Sequence, residues 1–536
     1  MATYKAKMAF RIKGFKRFWA EFKRCKRGVV GITFICLYAV LGVFGPILSP
    51  HDALSPSLLG YYPAGKAPIA NELAVPTWYR YLPGGGDLSE NMKVVSDHEF
   101  SSEEAMKAWH WETNAPNLAN LRYNPVKGDR NDGAIEALYR REAADVPPKK
   151  AYIKITHKFT YPYKRSPKLF WIHVSYLVDG TLSADSAVTI EFLFRRIQKP
   201  PPLVNYTYPL VSHEDSSVIY TYPLHAETII RPSMGWTHTW IRSNKETILR
   251  DPKYWLKPEA TIFPTSGDYT YEIRIGFEDK GGKGKDITVY LDNLDIILYG
   301  EVYGILGTDG RKGSPRDIAT SLAYGARLSI FIGLLAAVIS VSLGLFIGLT
   351  SGYIGGATDE TLMRTTDILM SLPWLPLVIV LMVVLGSSLW NVILILSLLG
   401  WMSFSRNVRS MALSLRERAF IEAAKAAGAG KFRIIFRHIL PNVFALVYLA
   451  LAVSVPGIIV TESYLSFLGL YDPWQLSWGR MFFEFSQSGV AVTKGIGEYW
   501  FWVVPPGMAI SVLAISFILV GYSLDEILNP KLRVRR

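Results

Sequence analysis

Apolar positions fall into two blocks separated by a long polar stretch. One run occupies residues 29–48, polar sequence extends to about residue 306, and apolar runs dominate thereafter. A run of roughly 20 apolar residues matches the thickness of a bilayer core. This predicts membrane helices at 29–48, 318–349, 362–385, 391–404, 443–459 and 500–522. Six spans put both ends of the chain on one side of the membrane.

The polar stretch changes texture midway. Up to about Val146 it is rich in turns ("YYPAGKAPIA", "YLPGGGDLSE"), with "SSEEAMKAWHWE" as a short helical candidate. From Ala151 it alternates: "AYIKITHKFTY", "KLFWIHVSYLV", "SAVTIEFLFRRI", "YTYEIRIGFEDK" and "DITVYLDNLDIILYG". Short β-branched and aromatic runs broken by Gly, Pro and Asp predict an antiparallel β-sandwich. The expected organisation is a basic tail (1–28), a first membrane helix (29–49), a β-rich insertion (50–306), a five-helix core (307–522) and a second basic tail (523–536).

Charge sharpens the topology. The 536 residues carry a formal charge of +13. Residues 5–27 hold ten Lys or Arg against one acid, Glu21, and the chain closes with Lys531, Arg533, Arg535 and Arg536. Basic segments flanking apolar spans mark cytoplasmic ends. Residues 406–437 hold eight Lys or Arg and two acids, Glu417 and Glu422, and six-span counting puts them on the same side. The basic balance therefore points to membrane topology and lipid contact, not to nucleic acid. The insertion is then expected outside the cell. It contains neither of the two cysteines, Cys25 and Cys36, so no disulfide framework holds it. A cleaved leader is disfavoured for 29–48, because "FGPILSPHD" offers no small-x-small cleavage site.

Candidate chemistry is sparse. Gly430-Lys431 imitates a phosphate-binding loop, but Phe432 stands where the magnesium-binding hydroxyl belongs, and Gly284-Lys285-Asp286 fails likewise. No H-E-x-x-H or G-x-S-x-G pattern occurs, so neither a metal site nor a nucleophile elbow is expected. Asp367, Arg364 and Glu462 lie in or near membrane segments and are candidates for the translocation path or for structural pairing. In the insertion, Trp171, Trp236, Trp240 and Trp255 are candidate stacking faces. Asn205 heads a glycosylation sequon.

One segment carries a sharper signal. In "FIEAAKAAGAGKFRIIFRHILPN" an Ala-rich helix ends at Gly428, and Pro441 suits the first turn of the next membrane helix. "EAAKAAGAGKFRIIFRHILP" resembles the EAA motif of permease subunits in ABC importers. "TDETLMRTTDILMSLPWLPL", "TESYLSFLGL" and "SWG" are similar to landmarks of the oligopeptide/dipeptide (and related oligosaccharide) permease family.

The resemblance implies an α-helical polytopic membrane protein with six transmembrane helices, of the type I ABC importer permease kind. It also implies a coupling loop at 405–441 that docks on a separate ATPase through Glu422, Ala423, Ala424, Gly428, His438 and Pro441. Further implied partners are a second homologous permease subunit, two ATPase subunits that bind ATP and Mg, and an extracytoplasmic solute-binding protein. No cofactor and no catalysis are expected on this chain. The "GTDGRKGSPRDI" segment departs from the family's spacing, and the insertion departs in size. The end of the insertion faintly resembles jelly-roll carbohydrate-binding modules, with Asp292 and Asn293 as ligand-contact candidates. The rival reading is a membrane-anchored binding or sensing protein whose sandwich does the work.

Overall fold

The computed structural model describes residues 19–49, 67–129, 133–140, 150–180, 186–198, 210–214, 217–230, 235–243, 258–279, 286–311, 314–493, 495 and 497–528. Asn205, Trp255, the tail from Lys531 and the basic residues before Phe18 lie outside them. The chain divides into two compact units, Leu58–Thr308 and Met1–Ser57 with Asp309–Arg536.

The second unit is helical. Its elements are α1 (Lys26–Leu48), α2 (Ile318–Ile354), α3 (Gly356–Ser371), α4 (Trp374–Leu385), α5 (Leu389–Arg416), α6 (Ala419–Ala426), α7 (Lys431–Phe467), α8 (Trp478–Gln487) and α9 (Trp500–Leu528). Among the described residues, α1, α2, α5, α7 and α9 are long and apolar enough to cross a membrane, and α3–α4 adds a sixth crossing if that bent pair is one span.

The helix expected at 362–385 is broken by a 90° bend. Pro373 has no N–H to continue the ladder, and it forces Leu372 out of helical backbone to ψ 138°. Hydropathy runs through this break and conceals it. The fourth and fifth helices are also longer than expected, at 28 and 37 residues, because their polar ends stay helical beyond the apolar run.

Close packing between α2 and α5 rests on Gly344, Gly348 and Gly352, spaced four apart. A Cβ on these residues would come within 2.8, 2.5 and 2.7 Å of the carbonyl oxygens of Trp401, Ser405 and Arg409. Only glycine permits backbones to approach this closely, the usual basis of helix association in lipid. Gly28 and Gly31 bring α1 onto α9 at Ser523 and Ser516 in the same manner.

The first unit is a two-sheet β-sandwich. Its strands are β1 (Met92–Lys93), β2 (His110–Thr113), β3 (Ala119–Asn124), β4 (Ala134–Tyr139), β5 (Lys150–Tyr161), β6 (Leu169–Asp179), β7 (Ser186–Gln198), β8 (Leu210–Glu214), β9 (Ser217–Ile230), β10 (Thr237–Arg242), β11 (Gly267–Asp279) and β12 (Ile287–Tyr299). One sheet runs β10-β6-β12-β4-β3 with β1 on β12, the other β2-β5-β11-β7-β9-β8. Alternate residues such as Tyr271, Ile273, Ile275 and Phe277 of β11 pack against Ile135, Phe170 and Leu291 of the facing sheet.

Strands β6 and β12 are buried on nearly every residue rather than on alternate ones. Their outer face is covered as well, where Ala67 packs with Leu169, Trp171, Ile297 and Tyr299. This covering explains their continuous apolar sequence. The stretch before Val146, read from sequence as turns, supplies β1 to β4; these strands are too short to show a clear alternation.

Candidate functional site

The α6 helix is held from beneath by a single side chain. Ile421 is fully buried in a cluster with Leu349 and Tyr353 of α2, Val408 and Ala412 of α5, and Ile434, Ile435 and Ile439 of α7. Glu422, Ala423 and Gly428 are exposed, and Ala424 is half-buried. Around them Phe420, Phe432 and Phe436 also reach solvent, Phe432 at 79%. The result is a small-residue face ringed by aromatics, anchored where three long helices converge.

Gly428 ends the helix through a defined motif. Its φ is +78°. The Gly428 N–H donates to the Lys425 carbonyl at 2.9 Å, and the Ala429 N–H to the Ala424 carbonyl at 3.0 Å. This is the Schellman pattern, in which the left-handed residue is normally glycine. A side chain there meets no neighbour, so backbone strain is the only intramolecular cost of substitution. Gly428→Ala is expected to cost about 1 kcal/mol locally. Hydrogen–deuterium exchange at residues 428 and 429 should quicken about fivefold. Gly428→Asn, tolerant of this conformation, should retain most protection.

His438 is half-buried within a π-helical turn, Ile435–Ile439, where the Leu440 N–H donates to the Ile435 carbonyl. Pro441 follows at the second residue of the regular stretch Leu440–Phe467. The helix itself already begins at Lys431. The wider π turn accommodates a proline that would otherwise clash with the preceding turn.

Asp367, Arg364 and Asp359 lie on α3 as paired groups. Asp359 accepts two hydrogen bonds from Arg409 of α5, Nε and Nη2 both at 2.6 Å, and a further one from the Ser351 hydroxyl. Asp367 pairs with Arg406 of α5. Arg364 pairs with Glu360 one turn away, at 2.8 Å, and is exposed. Asp359 and Asp367 thus fasten α3 to α5 beside the Ile421 anchor.

Glu462 of α7 is buried, 3% exposed. It accepts the Ser466 hydroxyl at 2.7 Å, and Ser477 Oγ donates to Ser466 Oγ at 3.3 Å. A cavity of about 20 Å³, room for one water, adjoins it between α2, α5 and the loop after α7. Ser477 also caps α8, accepting the Arg480 N–H. Next to it, Trp478 is fully buried and donates Nε1–H to the Leu322 carbonyl at 3.0 Å, while Gly479 lies against the Ser463 backbone.

A buried charge network, missed in the sequence reading, surrounds this corner. Arg316 is 1% exposed. Its Nε donates to Asp309 Oδ2 at 2.9 Å, its backbone N–H donates to Asp309 Oδ1 at 2.8 Å, and its guanidinium also pairs with Glu484 of α8. Arg480 donates to Glu484 at 3.0 Å and to the carbonyls of Pro473 and Gln475, and lies over the Tyr471 ring. Burial lowers the Arg316 guanidinium below its ordinary range. Burial, and then the neighbouring Arg316 charge, push Arg480 down to about 10. Arg480 stays charged at neutral pH. Asp309 and Arg316 both lie within the segment whose spacing looked altered, and they pair with each other.

In the sandwich, Asp292 and Asn293 form a bulge in β12 and are buried. Asn293 has φ +53°. The Asp292 carboxylate accepts the amides of Asp129 at 2.9 Å and Asn293 at 2.6 Å. Trp236 and Trp240 are half-buried, and Trp240 stacks in a row with His173 and His238. The structure thus encloses Asp292 and Asn293 and directs their polar atoms inward. Among the described residues no cluster of three or more His, Cys, Asp or Glu suits a metal.

Residues 344–534 match the model of the binding-protein-dependent transport system inner membrane component. Residues 15–60 match the N-terminal TM domain of oligopeptide transport permease C. The oligopeptide transport system permease protein OppC of Bacillus subtilis (strain 168) is 40% identical over 220 residues, 41% of this chain and 70% of that protein. The dipeptide transport system permease protein DppC of the same organism is 37% identical over 220 residues, covering 41% and 67%. A solved structure of the MetNI methionine ABC transporter aligns at 16% identity over 38% of this chain and 96% of its own, with a TM-score of 0.30, too low to bear on the fold argument.

Proposed function

Because the chain belongs to the family of binding-protein-dependent transport inner-membrane components, in its oligopeptide and dipeptide permease branch, we propose that it forms half of the translocation pathway for short peptides. A second homologous permease subunit supplies the other half. A solute-binding protein delivers the peptide outside, and two ATPase subunits dock inside. ATP and Mg act on those subunits, and no bond in the peptide is made or broken.

The observation that carries this reading is the α6 face. A short helix with exposed Glu422 and Ala423, closed by Gly428, is fixed through Ile421 to α2, α5 and α7 together. A push on such a helix moves three membrane helices at once. Conformational bias then follows from differential contact: an ATPase pair that changes shape on binding ATP favours one arrangement of those helices over the other.

Charge supports the orientation. Residues 406–437 carry eight Lys or Arg, and the N-terminal segment is equally basic. Both fall on the cytoplasmic side when α3–α4 counts as one complete crossing. The sandwich, inserted after α1, then lies outside, where the peptide arrives.

Uptake tests the proposal. Cells lacking this chain should lose import of labelled di- and oligopeptides and recover it with the wild-type protein. Unchanged peptide import alongside lost oligosaccharide import would reassign the cargo. Full complementation by the sandwich on α1 alone would overturn the permease reading in favour of a membrane-anchored binding protein.

A further inference from the structure

We propose that the end of the α1–α9 pair holds the headgroup of an anionic phospholipid. A polar cavity of about 490 Å³ opens there, lined by Glu21, Arg24, Cys25, Lys26, Arg27, Ser523, Glu526 and Ile527. It has a built wall. The Trp19–Phe22 segment folds back on the helices: Phe22 is 2% exposed and sits against Gly28, where a Cβ would come within 2.9 Å of its ring. Gly28 in turn lets Ser523 of α9 close the opposite side.

The charges in this wall are unequal in what they lack. Arg24, Lys26 and Arg27 are exposed, and no ion pair engages them among the described residues. Glu21 and Glu526 already make polar or electrostatic contacts. The group the cavity is short of is therefore an anion, and three cations around one opening suit a phosphate diester.

Two features favour a lipid over a free phosphate. Immediately beyond the cations in sequence, α1 exposes Val29, Val30, Phe34 and Leu37, apolar surface suited to acyl chains. Trp19, 37% exposed and stacked on Phe22 at 5.7 Å, places an amphipathic ring beside the opening, as side chains at a headgroup boundary do.

The test uses the purified full chain and three probes: phosphatidylglycerol nanodiscs, phosphatidylcholine nanodiscs, and inorganic phosphate added in detergent. Native mass spectrometry and thermal melting read retained lipid and stabilisation. Wild type should retain phosphatidylglycerol preferentially and melt higher in it. The Arg24→Gln/Lys26→Gln/Arg27→Gln variant should lose that affinity by roughly a hundredfold, from about 1 kcal/mol for each of the three cations near an anionic surface.

A control with Lys107, Lys127 and Lys158 of the sandwich changed to Gln removes the same charge and should behave as wild type. Equal phosphatidylglycerol retention by the triple variant would overturn the site. So would an equal loss in the control. Stabilisation by inorganic phosphate equal to that by phosphatidylglycerol would show a phosphate site and overturn the lipid assignment. Should the triple variant fail to fold, Arg27→Gln and Lys26→Gln alone, each compared for lipid retention, decide the matter in the same way.

Discussion

Arg316→Ala is expected to destabilise the protein by about 3–5 kcal/mol, the usual penalty for removing one partner of a buried ion pair. The variant leaves Asp309, 3% exposed, without its cation and deprives Glu484 of one of its two arginines. Asp309 cannot move to water without opening the contact between the segment before α2 and α8. The penalty comes from the orphaned Asp309 charge and not from a large net value of the pair, which makes a second variant decisive. Arg316→Met with Asp309→Leu removes the pair together and should recover much of the loss, because a buried pair replaced by apolar side chains is often close to neutral. Thermal melting of purified wild type, single and double variants checks this. A single variant as stable as wild type would mean that water reaches this corner and the network is not closed.

The second large effect concerns transport and not stability. Ala423→Trp is expected to cut peptide uptake at least about tenfold while leaving the melting temperature within a degree or so, since surface changes away from packing features usually fall within about 0.5 kcal/mol. Ala423 is exposed in this chain, so an indole there has solvent to occupy. Its bulk matters only if another protein closes on the α6 face, where a misfit at a docking centre costs on the order of 2 kcal/mol or more. Ala412→Trp is the opposite case: Ala412 is fully buried in the anchoring cluster, and the change should lower both stability and uptake. Uptake assays and melting curves on the same preparations separate the two.

Much of the helical unit was legible because membrane spans announce themselves by length and hydropathy. The α6 helix and its stop were legible too, since an alanine run followed by Gly428 carries a local instruction that the backbone obeys at φ +78°. The bend at Leu372–Pro373 was visible as a residue but was overruled by continuous hydropathy on both sides. The Arg316 network was not legible. Its members come from distant stretches of the chain, and nothing local marks Glu484 as the partner of Arg316.

In the sandwich, β-branched and aromatic runs revealed β5, β6, β7, β11 and β12 but not β9, and β1 to β4 gave no period to read. Asp292 and Asn293 are ligand-contact candidates because the last strands resemble those of jelly-roll carbohydrate-binding modules, which often carry Asp-Asn near the end. Both are buried in the β12 bulge, and the Asp292 carboxylate accepts the backbone amides of Asp129 and Asn293. Local polarity says that such groups need partners; only the fold says who the partners are.

The proposed role of α6 is to meet the ATPase subunits. The measurement that bears on it most directly is co-purification from native membranes through a C-terminal tag, comparing wild type, Ala423→Trp and Gly428→Asp. Wild type should bring down two ATPase subunits together with a second permease subunit. Both variants should keep the permease partner and lose the ATPases. Wild type without ATPases under conditions that preserve the permease pair, or variants that retain them undiminished, would contradict the account.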